Sequence, residues 1–480
     1  MENALEKNLQ AINQSFGETE DLVIRRFSLM DPSSRQAAVI YLDGLVDTAV
    51  ISQHVVRPLI LNFTGTAKNT HSLEELTSLI TVSETKVIKN LNEINEFILA
   101  GDTCLLVEGE EGGIIAESKG WEQRGVQEPI VERATRGPQE GFVESIQTNL
   151  GLIRTHVNHS KLIFEKYEVG TVSPNSVMIG YIKDKAKASV VEEVRERLGQ
   201  IDLEAVLESG YVEQLIEDNP MSPLPSIKVT ERPDVVSGDI LEGRVCILVN
   251  GSPFALIVPA SINSMMQSSD DYYERYPQVF LMRIVRWMAL FIALLLPSLY
   301  VAATTINHEI IQTPLLFTIA ATREGIPLPA VLEALLMEVA FEILREAGLR
   351  LPQPIGPAIS IVGVLVIGEA AVNAGIVSNI MVVIVGMTAL STFAIPQYSF
   401  ANAIRFLRFP IIILASTLGL LGIGFALMVL LTHLLKMRSF GNAMMEPFAP
   451  MSPDDLSDSV IHLPWKTTMS APWKKFKKLL

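Results

Sequence analysis

The chain has little cysteine: Cys104 and Cys246 are the two in 480 residues. Two thiols cannot build a disulfide framework, and their spacing fits no metal motif. Each is read as a small buried hydrophobe near the start of a strand. A basic excess is also missing; the formal net charge of −15 argues against nucleic acid as a partner. The first 25 residues hold no continuous apolar core, which excludes a secretory signal there. Instead Leu5, Leu9, Ile12 and Phe16 recur at helical spacing. There is no Gly-rich phosphate loop ending in Lys-Ser/Thr, no Gly-x-Ser-x-Gly elbow and no His-Glu-x-x-His. His156 and His159 stand three apart with no third ligand beside them. The sequence points away from an enzyme, and neither cofactor nor metal is expected.

Charge is missing unevenly. Residues 1 to about 280 are rich in Glu, Lys and Arg, whereas 284–435 is dominated by apolar runs and the end is lysine-rich again. The fold class this predicts is a duplicated α/β N-terminal domain on the cytoplasmic side, joined to an α-helical polytopic membrane domain. The expected divisions are an amphipathic segment 1–22, subdomains 23–135 and 136–280, a membrane domain 281–436 and a cytoplasmic tail 437–480.

The duplication is read from order and spacing. Gln36 to Asp43 reads as a strand, Val46 to Leu61 and Glu84 to Leu99 as helices, and Cys104 to Ile115 as a hairpin. The second copy offers a strand Ser176 to Asp184, helices Ala186 to Leu198 and Leu203 to Glu217, and a hairpin Arg244 to Val258. That hairpin turns near Asn250-Gly251. Tyr41 to Cys104 is 63 residues and Tyr181 to Cys246 is 65. Residues 133–141 read as the linker between the copies.

In the apolar half, spans are expected at about 287–305, 355–372, 376–395 and 409–435, with re-entrant or interfacial helices at about 310–346. Arg283 and Arg286 before the first span, and Lys436 and Arg438 after the last, place both ends in the cytoplasm and require an even number of passes. Arg405 and Arg408 then fall on the outer side, against the charge bias. Glu338, Glu342, Arg345 and Glu346 share one face of the 331–346 helix and are candidate polar partners within the membrane domain.

Leu351 to Ile395 holds one ionisable side chain, Glu369. At 3.6 residues per turn, Gly356, Ser360, Gly363 and Ala370 form a small face suited to close helix packing. Val362, Val366, Glu369 and Asn373 form another, suited to an ion pathway in which a carboxylate sits below apolar constrictions. Two readings of Glu369 stand: a pore-lining carboxylate, or one satisfied by Arg345 or Arg350 inside a tight bundle. One copy has too few spans to enclose a wide aqueous path, so a pathway requires oligomers. Trp465, Trp473, Phe476 and the lysines around them suit an anionic membrane surface or a disordered basic end.

Several stretches occur together and in order: VIYLDGLVD (39–47), RGP (136–138), FVESIQTNLGLIR (142–154) and LIEDNPMSPLP (215–225). TERPDVVSGDILEGRVCILVNGSPFALIVPA (230–260), SSDDYYERY (268–276), the block 333–378 and SFGNAMMEPFAP (439–450) follow. On these the chain resembles the GerA family of spore germinant receptors, specifically the A subunit. The resemblance implies an integral protein of the spore inner membrane. It implies action with a transporter-like B subunit and a lipoprotein C subunit, and oligomers that conduct monovalent cations when nutrient binds. The family also contains accessory paralogues, so a non-conducting scaffold or signalling subunit stays open as the alternative.

Overall fold

A computed structural model describes residues 1–29, 35–61, 72–120, 128–350, 368–451 and 458–459. It divides into two compact units, residues 1–218 with 227–259, and residues 219–226 with 260 onward.

The first unit contains the same sheet twice. Strands β1 (Leu22–Ser28), β2 (Gln36–Leu42), β3 (Thr85–Ile88), β4 (Thr103–Val107) and β5 (Gly113–Ala116) form one sheet. Strands β6 (Leu162–Val169), β7 (Asn175–Ile182), β8 (Lys228–Thr230), β9 (Val245–Val249) and β10 (Ala255–Val258) form the other. Their orders, β1-β2-β4-β5-β3 and β6-β7-β9-β10-β8, are equivalent, and every pairing is antiparallel. Cys104 is the second residue of β4 and pairs with Ile40; Cys246 is the second of β9 and pairs with Gly180. Both thiols are fully buried.

Strands β4, β5, β9 and β10 are buried along their whole length, because helices cover both faces of each sheet. In the first sheet, α1 (Leu5–Phe16) and α2 (Leu91–Leu99) pack against Ala38, Ile40, Cys104 and Leu106. The helical run 48–61 and helix Leu73–Leu79 cover the opposite side, against Val39, Leu105 and Ile114. In the second sheet, α3 (Ile146–His156) and α6 (Pro233–Leu241) take one face. Between α3 and α6 in the chain lie α4 (Ala188–Gly199) and α5 (Ser209–Ile216), which pack on each other.

The two sheets are joined by buried polar contacts. Arg154 of α3 donates from Nε to Asp21 Oδ2 at 2.7 Å and from Nη2 to Asp21 Oδ1 at 2.9 Å, with both side chains fully buried. Its Nη2 also reaches the Leu162 carbonyl at 2.9 Å. The chains approach so closely here that a Cβ on Gly151 would collide with the Gly44 carbonyl, and Gly44 itself has φ +86°. The stretch after residue 128 is strapped down: Glu231 accepts from the amides of Val131 and Glu132, and Arg232 donates to the carbonyls of Glu132 and Pro138. Thr230 donates to the Glu132 carboxylate, and burial pushes that carboxyl up to about 7.

Several expected elements differ. Residues 1–22 are not a separate segment, because Leu5, Leu9, Ile12 and Phe16 of α1 are buried in the core of the first sheet. Glu84 to Leu99 is not one helix; Thr85–Ile88 is strand β3, and Asn90 caps α2 through the amide of Asn92. Leu203 to Glu217 contains only the short α5, because its first residues run beside 171–173 through bonds from Thr171 to the Leu203 carbonyl and from Val172 to that of Glu204. The second unit begins near residue 260 and takes in the 219–226 loop.

In the second unit, α7 (Tyr276–Thr305) packs along α10 (Asn379–Phe393) and α11 (Tyr398–Leu418). The other helices are α8 (Thr313–Arg323), α9 (Ala330–Arg350) and α12 (Leu420–Lys436). By length and composition, α7 and α11 could each cross a membrane; α10 and α12 are shorter apolar helices. The run Phe409 to Leu435, expected as one span, is two helices. Gly419 breaks it at φ 63°, ψ −140°, and Asn307, just past the end of α7, caps α12 by accepting from the Leu420 amide at 2.9 Å. Phe448, beyond α12, meets the Trp287 ring near the start of α7 at 5.8 Å, so α12 runs back along α7. The 310–346 region, expected as re-entrant or interfacial, holds α8 and most of the 21-residue helix α9, which runs on to Arg350 and packs against α7, α10 and α11.

The start of α7 carries arginines that are neutralised within the unit. Arg283 donates to Asp271 at 3.0 Å and to Asp458 at 2.9 Å, and Arg286 to Asp271 at 2.8 Å. Residues 437–451 also belong to this unit, with Met437, Phe440 and Met444 buried.

Candidate functional site

The sequence shows α9 as amphipathic, and the structure decides which way its faces point. Glu338 is 1% exposed, while Val339 and Ile343 are 48% and 65% exposed. Glu333 and Glu338 face inward while Leu332, Leu336, Val339 and Ile343 face outward; only toward the end of the helix are charges, Glu346 and Arg350, exposed. In water this would be unfavourable; in hydrocarbon it is the low-energy arrangement.

The inward charges form three steps. At the first, Glu333 Oε1 accepts from Arg323 at 3.0 Å, and its Oε2 accepts from the amide of Ser378 at 3.0 Å, at the entry to α10. At the second, Arg408 of α11 clasps three other helices. Its Nη1 donates to Glu338 of α9, its Nε to the Ala293 carbonyl of α7 at 2.8 Å, and its Nη2 to Thr392 of α10 at 3.0 Å. At the third, Glu342 lies 3.6 Å from Arg405 and 3.5 Å from Arg345, and Arg345 donates to Tyr398 at 2.6 Å and Asn402 at 3.1 Å.

Taking an ion out of water costs several kcal/mol even after relaxation, so each step holds only because its members are paired and hydrogen-bonded. The expected partners Glu338, Glu342 and Arg345 are thus brought together. Arg405 and Arg408 of α11 are buried partners of those carboxylates. Nothing local in the sequence shows this: the two halves of each pair lie about 60–70 residues apart, as the separation of 70 between Glu338 and Arg408 illustrates.

Of the pathway residues read from the sequence, Glu369 and Asn373 lie on the described helical turns of 368–373 and are exposed. Ala370 is exposed as well. Gly368 is buried on this segment, and Ala371 and Val372 pack against the cluster of Tyr300, Val301, Met381 and Val385. Glu369 makes no ion pair with any described residue, and specifically none with Arg345 or Arg350, whose partners are Glu342 and Glu346. Val362, Val366, Gly356, Ser360 and Gly363 lie outside the described residues. The turn that follows uses Gly375 at φ 66°, and Ser378 caps α10 through the Met381 amide.

A family model described as Bacillus/Clostridium GerA spore germination protein matches residues 10–473. This chain belongs to the GerA family. Spore germination protein KA of Bacillus subtilis (strain 168) is 42% identical over 463 residues, covering 96% of this chain and 85% of that protein. Spore germination protein A1 of the same organism is 40% identical over 459 residues, covering 96% and 94%. Among solved structures, the N-terminal domain of the A subunit of the Bacillus megaterium spore germinant receptor GerK3 is 35% identical, with a TM-score of 0.43. It covers 54% of this chain and 96% of that one. In this GerA-family chain the charged face of α9 lies within an apolar helical bundle, two of whose helices could cross a membrane by length and composition.

Proposed function

We propose that this chain is the A subunit of a nutrient germinant receptor in the spore inner membrane, and that copies of it assemble into a nutrient-gated path for monovalent cations. A transporter-like B subunit and a lipoprotein C subunit are its partners in this reading. The first unit and the residues after α12 face the cytoplasm.

The observation that carries the proposal is the contrast between carboxylates. Glu333, Glu338, Glu342 and Glu346 of α9 all have ion pairs inside the chain, whereas Glu369 is exposed with no described partner. Against lipid such a carboxylate is costly; around a water-filled axis shared by several copies it is hydrated and attracts cations. Asn373, one turn on, adds a second polar group to that face. The helix directions support six passes: α7 one way, α9 and α10 the other, α11 with α7, and α12 back again. The remaining expected pass, about 355–372, falls mostly outside the described residues.

Purified chain in liposomes tests this by potassium flux. Flux that falls in Glu369→Gln supports the pathway. No flux under any condition, from chain that still restores germination with its partners, would instead support a non-conducting scaffold.

A further inference from the structure

Pro297 lies inside α7 and Pro410 inside α11. A proline has no amide hydrogen, so the carbonyl four residues before it loses its helical donor. In α7 that carbonyl belongs to Ala293, the same one that accepts from Arg408 Nε at 2.8 Å. The guanidinium thus stands in for the missing helical bond. Pro410 lies two residues beyond Arg408 and withholds the donor from the Phe406 carbonyl in the same way. The two helices long and apolar enough to cross a membrane are therefore both weakened at the level where Arg408 joins them.

Two buried polar atoms on the helices that Arg408 joins lack a partner among the described residues. Ser298, next to Pro297, is 0% exposed and its hydroxyl bonds to nothing; Glu338 Oε1 is also unpaired, since the ion pair uses Oε2. Such groups are rare in native folds and raise the energy of the arrangement that holds them. What lies beyond the prolines bears on the candidate pathway. Tyr300 and Val301 of α7 and Ile412 of α11 belong to the apolar cluster against which Ala371 and Val372 pack. Those two residues sit on the turns that carry Glu369 and Asn373.

We propose that α7 hinges at Pro297, that the Arg408–Glu338 pair is the latch holding the hinge, and that its release carries the Glu369 turns along with the far end of α7. The latch has its two ends on α11 and α9, so a slide of α9 along α11 is the motion that opens it. Once Arg408 leaves, nothing holds the Ala293 carbonyl and the helix bends there. The bend frees carbonyls beside the Ser298 hydroxyl, which then has an acceptor. The proposal gives the Glu369 pathway its control and rests on that reading for its purpose; the hinge itself is measured without flux.

Spin-label distances in the full-length chain test it, with labelled copies diluted among unlabelled ones. Both native thiols are buried, so labelling is confined to the introduced sites. Met288→Cys with Ile306→Cys brackets the hinge at exposed positions, about 27 Å apart along an unbroken helix. Ile343→Cys with Ala370→Cys reads the Glu369 turns against α9. Each pair should give one narrow distance in the otherwise native chain, and Arg408→Met should add a second, shifted distance in both. Pro297→Ala returns a donor to the Ala293 carbonyl, so adding it should restore the single distance. Glu338→Gln should give the same second population at lower weight, and it serves where Arg408→Met fails to fold. Distances that stay single in both latch variants overturn the hinge. So does a second population that survives Pro297→Ala, because the whole bundle has then loosened. A shift confined to the first pair overturns the link to Glu369. Absent potassium flux beside the expected distances refutes the pathway and leaves the latch standing.

Discussion

Arg408→Met tests the clasp at the middle of the bundle. The substitution keeps an unbranched side chain of similar reach but removes the charge and all three donors. The Glu338 carboxylate, 1% exposed, then loses its ion pair, and the Ala293 carbonyl and Thr392 hydroxyl lose the guanidinium. Breaking a buried pair from one side costs about 3–5 kcal/mol, because an uncompensated ion stays behind. For a unit of this size each kcal/mol moves the midpoint by about 2–4 °C, so Tm should fall by roughly 6–20 °C. Melting of the purified chain in detergent, followed by the loss of its monodisperse peak, reads this. Glu338→Gln should be milder, since an amide still accepts from Arg408. The double variant Glu338→Leu with Arg408→Met should recover most of the loss, as apolar replacement of a whole buried pair is often neutral. A single Arg408→Met that costs under about 1 kcal/mol, or a double variant no better than the single, would refute the clasp.

Gly419→Ala should lower stability by about 1–3 kcal/mol, because the α11–α12 turn needs a positive φ and a Cβ there collides with Asn307; the same melt reads it. Arg154→Ala should cost about 3–5 kcal/mol by leaving Asp21 buried and alone, and limited proteolysis should then cut between the two sheets of the first unit. For pH, the carboxyls of Glu132 and Glu213 sit at about 7 in the fold against ~4.3 in the unfolded chain. The folded state holds more protons between those values, so stability falls as pH rises from about 4.3 to about 7. Replacing both with Gln should flatten the melting profile of the chain across pH 5 to 7.5; an unchanged slope would contradict the shifts.

Much of the first unit was legible because its signals are local. The Asn250-Gly251 turn between apolar runs marks a hairpin, and the near-equal spacings from Tyr41 to Cys104 and from Tyr181 to Cys246 mark a repeat that the matching strand orders bear out. The outer strands were harder. Strand β1 alternates weakly because it lies at a sheet edge and is only half-buried, and β3 and β8 are four and three residues long, too short for a period to register. In the second unit, hydrophobic runs located α7 and α10. The run 409–435 hid a hairpin, because a single glycine is no obstacle to a helical pattern read from composition, whereas its positive φ is decisive in three dimensions. The charged face of α9 was visible, but its direction was not. In water charges face out, and only the partners Arg405 and Arg408, supplied by a distant helix, turn that face inward. The distinct surroundings of Glu369 follow the same logic: the chain pairs Glu333, Glu338 and Glu342 on the inward face of α9, whereas Glu369 is exposed with no ion pair to a described residue.

The most direct measurement is potassium flux through liposomes that hold the purified chain, comparing wild type with Glu369→Gln at matched oligomer content. A cation pathway predicts wild-type flux that drops severalfold on losing the carboxylate while the oligomer persists. Equal flux in the two proteins would contradict a pathway lined by this face.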